Sequence, residues 1–388
     1  MKRFSIIFLG ALAMFMAGCS KDPHTVTSNP DAWIYDASLP VPIRFGVADG
    51  PATKSAINNV QDMVDAEHDF GFFALHNNMT SLNGDTGLDM PHNALAECEL
   101  VTPTTVQFNF ENGPYYYPAQ SNDNYTFYGY YARVTENVSP QSDRIVIVTD
   151  LGDTDILWAK TEAEPVVIEK DGETYVYEGF NSRYIRKSAE EDNNSDGQPD
   201  GVHKHPFMSF KHLTACVTFY AQADLSAYAE ANPGKDQVKI TKVSVLNTVT
   251  RARLFVAHKN PALEGTFEQI KTGTISTDVE NGELTKDSKS LCDDFFIHPS
   301  ETITVQLEYE VVSEAGAAAK TLTSEYVLTP EVKSGDLEGQ TGFFAGYKYN
   351  YNFIVYTPER ISIEATVEPY EYAFGGENDF EDVTPEDE

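Results

Sequence analysis

Apolar and polar residues alternate along much of the chain, and the alternation is cleanest in its last third. Ile303, Val305, Leu307, Tyr309 and Val311 recur at every second position, as do Tyr347, Tyr349, Tyr351, Phe353 and Val355. A period of two puts successive side chains on opposite faces of a pleated strand, so each run predicts a strand with one face inward. Ile361, Ile363, Ala365 and Val367 resume the pattern after Thr357-Pro358-Glu359, which predicts a hairpin with the strand before it. Further strand signals fall at Phe70 to Leu75, Tyr125 to Ala132, Arg144 to Val148, Val217 with Phe219, and Val238 to Val245. Val41, Ile43, Phe45 and Val47, with Pro42, Arg44 and Gly46 between them, predict a first strand near the start of the folded region. Helical spacing is confined to Ile57, Val60, Met63 and Val64. With no crossover helices a doubly wound α/β fold is excluded, and antiparallel sheets are expected.

The ends of the chain depart from this pattern. Lys2 and Arg3 precede an apolar stretch, Phe4 to Met16, that is short for a bilayer span, and Met16-Ala17-Gly18-Cys19 follows. This resembles a bacterial lipobox with Met16 in place of the usual Leu. It implies removal of residues 1–18 and acylation of Cys19, the alternative being an ordinary signal peptide with an incidental cysteine. Residues 19–38 are polar and turn-forming and read as a tether, with folding expected to begin near Val41. The strand pattern breaks again around Tyr228 to Gln237, which divides the chain into an expected domain at 39–228 and another at 236–375. Residues 376–388 read as a solvated acidic tail, since Glu377 to Glu388 carries seven acids and no base.

Composition sharpens the class. A chain of 388 residues with 41% hydrophobic and 22% charged residues has material for two cores. The 21 Tyr and 23 Phe, against 2 Trp, favour strands. The reading is all-β, two tandem antiparallel β-sandwich domains. A balance of 27 basic against 60 acidic side chains, net −33, argues against nucleic acid as a partner, because such a chain repels a polyphosphate. With Cys19 assigned to lipid, Cys98, Cys216 and Cys292 remain, without a CxxC pair. Isolated buried thiols are expected ahead of one disulfide with one free thiol.

Candidate chemistry is sparse. Asp192, Asn194, Asp196, Gln198 and Asp200 fall within a run that places oxygen ligands at calcium-loop spacing, with Gly197 at the sharp turn. His203 stands where a bidentate Glu is required, so the run reads either as a weak calcium site or as an ordinary acidic turn. No other cofactor is indicated. His203 and His205 would share a strand face, and His212 lies near, yet no fourth ligand completes a metal set, which favours a structural role. Tyr115, Tyr116, Tyr117, Tyr128 and Tyr130 could stack on sugar rings, which is the basis of an alternative reading as a glycan-binding lipoprotein. Strand alternation accounts for them equally, with Phe127 and Tyr131 facing one way and Tyr128 and Tyr130 the other. GxSxG, HExxH, P-loop and GxGxxG motifs are missing from the sequence, so no enzyme is expected.

Taken in order, several segments resemble the fimbrillin family of Bacteroidetes surface lipoproteins. They are Ile43-Arg44-Phe45 with Thr53-Lys54-Ser55, then Phe127-Tyr128-Gly129-Tyr130-Tyr131, then Asp155-Ile156-Leu157-Trp158-Ala159. Phe207 to Ala215 and Gly346 to Tyr370 complete the series, which spans nearly the whole chain after residue 18. The resemblance implies two transthyretin-like sandwiches, a surface-exposed lipoprotein of the outer membrane, a place in or at the base or tip of a fimbrium, and other fimbrial subunits or further copies as partners. It also implies proteolytic removal of the first strand and its replacement by a strand from another subunit. The cleavage position would fall near Lys54 where the family has an arginine, while Arg44 lies inside the first strand. A host or bacterial surface ligand for adhesion is implied without its identity.

Overall fold

The structure, a computed structural model, describes residues 32–48 and 60–369, except 67, 78, 103–104, 120–122, 137, 139, 171, 192–200, 227–229, 231–237, 312–319, 334–335 and 358–359. The α-helices are short: α1 (Ala32–Tyr35), α2 (Val60–Val64) and α3 (Ser182–Ser188). Strands dominate. The first are β1 (Val41–Pro42), β2 (Gly46–Ala48), β3 (Phe70–His76), β4 (Ala94–Thr102), β5 (Thr105–Phe110), β6 (Tyr116–Tyr117) and β7 (Tyr125–Tyr131). There follow β8 (Arg144–Asp150), β9 (Leu157–Thr161), β10 (Val166–Lys170), β11 (Glu173–Tyr177), β12 (Lys211–His212), β13 (Ala215–Ala223) and β14 (Val238–His258). The last are β15 (Thr266–Asp278), β16 (Lys289–Ser290), β17 (Phe295–Ile297), β18 (Ile303–Val311), β19 (Lys320–Leu328), β20 (Tyr347–Thr357) and β21 (Arg360–Pro369).

Three sheets carry the architecture. The first runs β12-β9-β7-β3-β4-β5-β2. The second runs β16-β13-β20-β21 with β17 on β13, and the third runs β15-β14-β18-β19 with β8 on β14. The fold is all-β, and nearly every pairing is antiparallel, including the expected hairpin, where Tyr351 faces Ala365. Among the described strands β13 and β20 are parallel, Phe219 lying beside Tyr351, and an isolated parallel bridge joins Gly46 to Phe207.

Packing explains the layers. One core lies on one face of the first sheet and gathers Phe45, Phe70, Phe72, Phe108, Phe127, Tyr117 and Phe210. A second fills the space between the second and third sheets with Val217, Phe219, Val243, Val305, Leu307, Tyr349 and Phe353. A third joins the two, because the opposite face of the first sheet, through Phe73, Leu75, Tyr128 and Tyr130, packs on Ile145 and Ile147 of β8 and Ala252, Leu254 and Val256 of β14. Two glycines permit the close approach. A Cβ on Gly71 would lie 2.2 Å from the ring of Tyr130, its cross-strand partner, and one on Gly129 would lie 2.7 Å from Met208 Cε.

The strand β14 is continuous over 21 residues and serves both units. Its first half pairs with β18 and its second half with β8, while β15 pairs with it from Lys242 to Phe255. Register shifts between Val245 and Ala252 and a positive φ at Asn247 mark the bend. The expected division near residues 228–236 therefore cuts a shared structure: β13, ahead of it, lies in the second core, and β14, behind it, closes the third. The chain also joins the fold earlier than expected. Trp33, within the span read as tether, is 2% exposed in the first core.

Candidate interaction surface

Residues 41–48 form the first strand in two pieces, each bonded on a different neighbour. Val41 and Pro42 lie opposite Tyr117 and Tyr116, and Ile43 N–H donates to the Tyr115 carbonyl at 2.8 Å. Beyond Arg44 the chain crosses to the edge of the first sheet, where Gly46, Val47 and Ala48 lie opposite Gln107, Val106 and Thr105. On its other side Met208 N–H donates to the Gly46 carbonyl at 3.0 Å. Val41, Ile43 and Phe45 are all buried. The Phe45 ring stacks on Phe72 at 4.8 Å and meets Phe127 edge-on at 4.9 Å. The segment thus occupies an apolar groove and satisfies backbone groups along it, which is the combination that strand exchange requires.

The structure corrects the tyrosine platform. Tyr115, Tyr117, Tyr128 and Tyr130 are buried and Tyr116 is half-buried in β6. The first sheet is covered on both faces, so each tyrosine has a core to enter. Two of the hydroxyls are tied up as well: Tyr128 donates to Glu264 at 2.8 Å and Tyr130 to Asn93 at 2.7 Å. Burial first, then Glu264, raises the Tyr128 pKa far above a free phenol's. These rings cannot face a sugar without dismantling the layers.

The histidines take structural places. His212 Nδ1 lies 2.6 Å from Asp155 Oδ2, and Thr214 Oγ1 donates to Asp155 Oδ1 at 2.7 Å, a buried network where the chain leaves the first sheet for β13. His203 Nδ1 lies 3.0 Å from the Ile185 carbonyl. His205 is buried against Trp33, and desolvation, then Arg44 and His203, pulls its pKa down to about 3. Among the described residues no group of three or more His, Cys, Asp or Glu is placed to hold a metal. Cys98, Cys216 and Cys292 are free thiols; burial pushes Cys292 up to about 12 and the other two higher.

Other expected sites fall outside the described residues: Cys19, Lys54, the run from Asp192 through Asn194, Asp196 and Gln198 to Asp200, and the acidic tail. The described residues on either side of this run are bonded to each other, Gly201 N–H donating to the Glu191 carbonyl at 3.0 Å. Arg44 is half-buried between β1 and β2. Among the described residues no helix is long and apolar enough to cross a membrane.

A polar cleft of about 800 Å³ opens where β8, β14 and β15 meet the loop before β17. Its arginines already hold carboxylates, Arg251 to Asp150 at 2.7 Å and Arg133 to Asp153 at 3.0 Å. Sequence reasoning missed two residues that bear on the first strand, Trp33 and Arg186. The Arg186 guanidinium donates to the carbonyls of Trp33, Asp36, Leu39 and Ala119. Its helix α3 carries a readable start signal, Asn181, whose side chain accepts from Tyr184 N–H at 2.8 Å.

No family model matches the chain, and no curated protein is found similar to it. Among solved structures it is similar to a candidate cell adhesion protein from Bacteroides uniformis, with 15% identity and a TM-score of 0.46 over 85% of this chain and 98% of that one. It is similar to a fimbrial assembly protein from Parabacteroides distasonis, with 12% identity and a TM-score of 0.37 over 86% and 96% of the two chains. It is also similar to the fimbrial anchor protein Mfa2 from Porphyromonas gingivalis, with 10% identity and a TM-score of 0.35 over 85% and 98%.

Proposed function

We propose that the chain is a surface-anchored fimbrial subunit of accessory type, at a tip or base more than in the stalk, that joins its neighbours by strand complementation and serves adhesion. Its role is mechanical rather than catalytic. The ordered motifs shared with fimbrillins and the lipobox-like Met16 to Cys19 support this reading, with Cys19 carrying the lipid at the outer membrane. The observation that carries it is the first strand. Val41, Ile43 and Phe45 are buried while the strand lies at a sheet edge, so its removal would expose an apolar groove beside unpaired backbone. A strand from a fimbrial partner or another copy would restore both. The tail at Glu377 to Glu388 offers only Phe380 and Val383 as apolar residues and is a poor donor, which favours an accessory place.

Deleting residues 20–48 tests the reading. The shortened protein should associate into larger species by light scattering, and a synthetic peptide of residues 41–48 should bind it and return it to a monomer. A stable monomer with an unchanged melting temperature and no affinity for the peptide would refute strand complementation at this groove.

A further inference from the structure

The chain preceding the first strand is held by a separate set of contacts. Trp33 lies in α1 with its ring against His203 at 4.9 Å and His205 at 5.8 Å, both edge-on. Three of the four carbonyls on Arg186 come from this segment: Leu39 at 2.6 Å, with Trp33 and Asp36 both at 3.4 Å. A guanidinium offers five N–H donors in a rigid fork, so one side chain can gather several turns of irregular backbone. Ile34 and Leu39 pack on the first core, while Tyr35 stays 83% exposed. The segment is a turn with one face down.

The walls of this slot are built without the segment. Lys204 N–H donates to Ser188 Oγ at 2.8 Å, and Lys204 Nζ pairs with Glu191 at 2.7 Å, which fixes residues 201–206 on α3. The bond between His203 and the Ile185 carbonyl adds a third tie. The aromatic walls and the carbonyl-gathering Arg186 are therefore positioned by the body of the protein. Preorganisation of this kind lowers the cost of binding.

We propose that α3 and residues 201–206 form a peptide-docking site for an aromatic-led turn, occupied by residues 32–39 of this chain, and that it retains the first strand after the connection between residues 48 and 60 is cut. The inference rests on the proposed function only in treating 41–48 as the exchangeable strand. Proteolysis near Lys54 then leaves the groove filled, and opening it requires a competing partner that also displaces Trp33. In the lipid-anchored chain the cut body stays with the membrane.

The test replaces residues 51–57 of the full chain with the recognition sequence of a specific protease. After cleavage, the release of the N-terminal fragment is followed by size exclusion. The wild-type fragment should co-elute with the body, and W33A or R186M should release it at least ~tenfold faster, a change worth about 1.4 kcal/mol. Trp33 Nε1 has no hydrogen-bond partner among the described residues, so W33F keeps the ring contact and should stay within about threefold of wild type. Competition on the cleaved wild-type protein serves as a check independent of variant folding: a peptide of residues 32–48 should displace the fragment at least ~tenfold more effectively than one of residues 40–48. Prompt loss of the wild-type fragment, or equal potency of the two peptides, would overturn the docking site while leaving the deletion experiment on the groove to stand or fall by itself.

Discussion

The two units of the molecule bury their sheets differently. In the second unit, β18 shows burial at Ile303, Val305, Leu307 and Tyr309 with half-exposed residues between, because one face meets the core and the other meets solvent. In the first unit, every residue of β7 from Tyr125 to Tyr131 is buried, and β3 is buried from Phe70 to Leu75. That sheet is the middle layer of the molecule, packed on one side by Phe45 and Phe210 and on the other by β8 and β14. A sheet with two buried faces carries no alternating signal, and its aromatic residues resemble a binding platform in sequence while serving as packing in space.

This contrast can be broken by truncating opposite faces of β7. Phe127→Ala removes a ring from the first core and Tyr130→Ala one from the third, and each should cost about 3–5 kcal/mol by urea denaturation. The Tyr130 variant also strips Asn93 of its partner. Since β14 and β15 run through both units, a single transition is expected. A near-neutral Tyr130→Ala would mean that this face is open after all.

Acid should act next through the first unit. His205, in the first unit, has a folded-state pKa of about 3 against the ordinary 6.5, so the unfolded chain binds the proton more readily. Its contribution is fully present above pH 6.5 and is lost as pH falls towards 3, with a slope of up to about 1.4 kcal/mol per pH unit. His205→Phe should flatten the stability profile relative to wild type in that window, and identical slopes would remove His205 as the cause.

The smallest effect is expected on the outward face of the second unit. Gln306 lies on β18 and its amide donates to Glu325 of β19 at 2.8 Å, an exposed pair. Gln306→Ala should change stability by less than about 0.5 kcal/mol in the same assay. A loss comparable to that of Tyr130→Ala would show that this face is covered in solution.

Strand identity was legible wherever the period of two was intact, as at Ile303 to Val311 and in the hairpin from Tyr347 to Val367, because burial on one face leaves its imprint residue by residue. The short helix at Val60 to Val64 and the inward set Val41, Ile43 and Phe45 were legible for the same reason. The groove was therefore visible in outline, but its clamp was not. Trp33 sits in a polar stretch with no period, and Arg186 acts on carbonyls from residues about 150 positions away, a reach that local pattern cannot carry.

By itself the sequence determined an all-β chain with acidic character and strands of known facing, since these depend on local spacing and composition. Tertiary structure alone decided that β14 serves both units and that Tyr128 and Tyr130 lie in a core rather than on a surface. It also decided that the segment preceding the first strand rests on α3 and residues 201–206. The physical reason is the same in each case: which face of an element is buried depends on what another part of the chain brings against it, and a strand's own residues do not encode how many neighbours it will have.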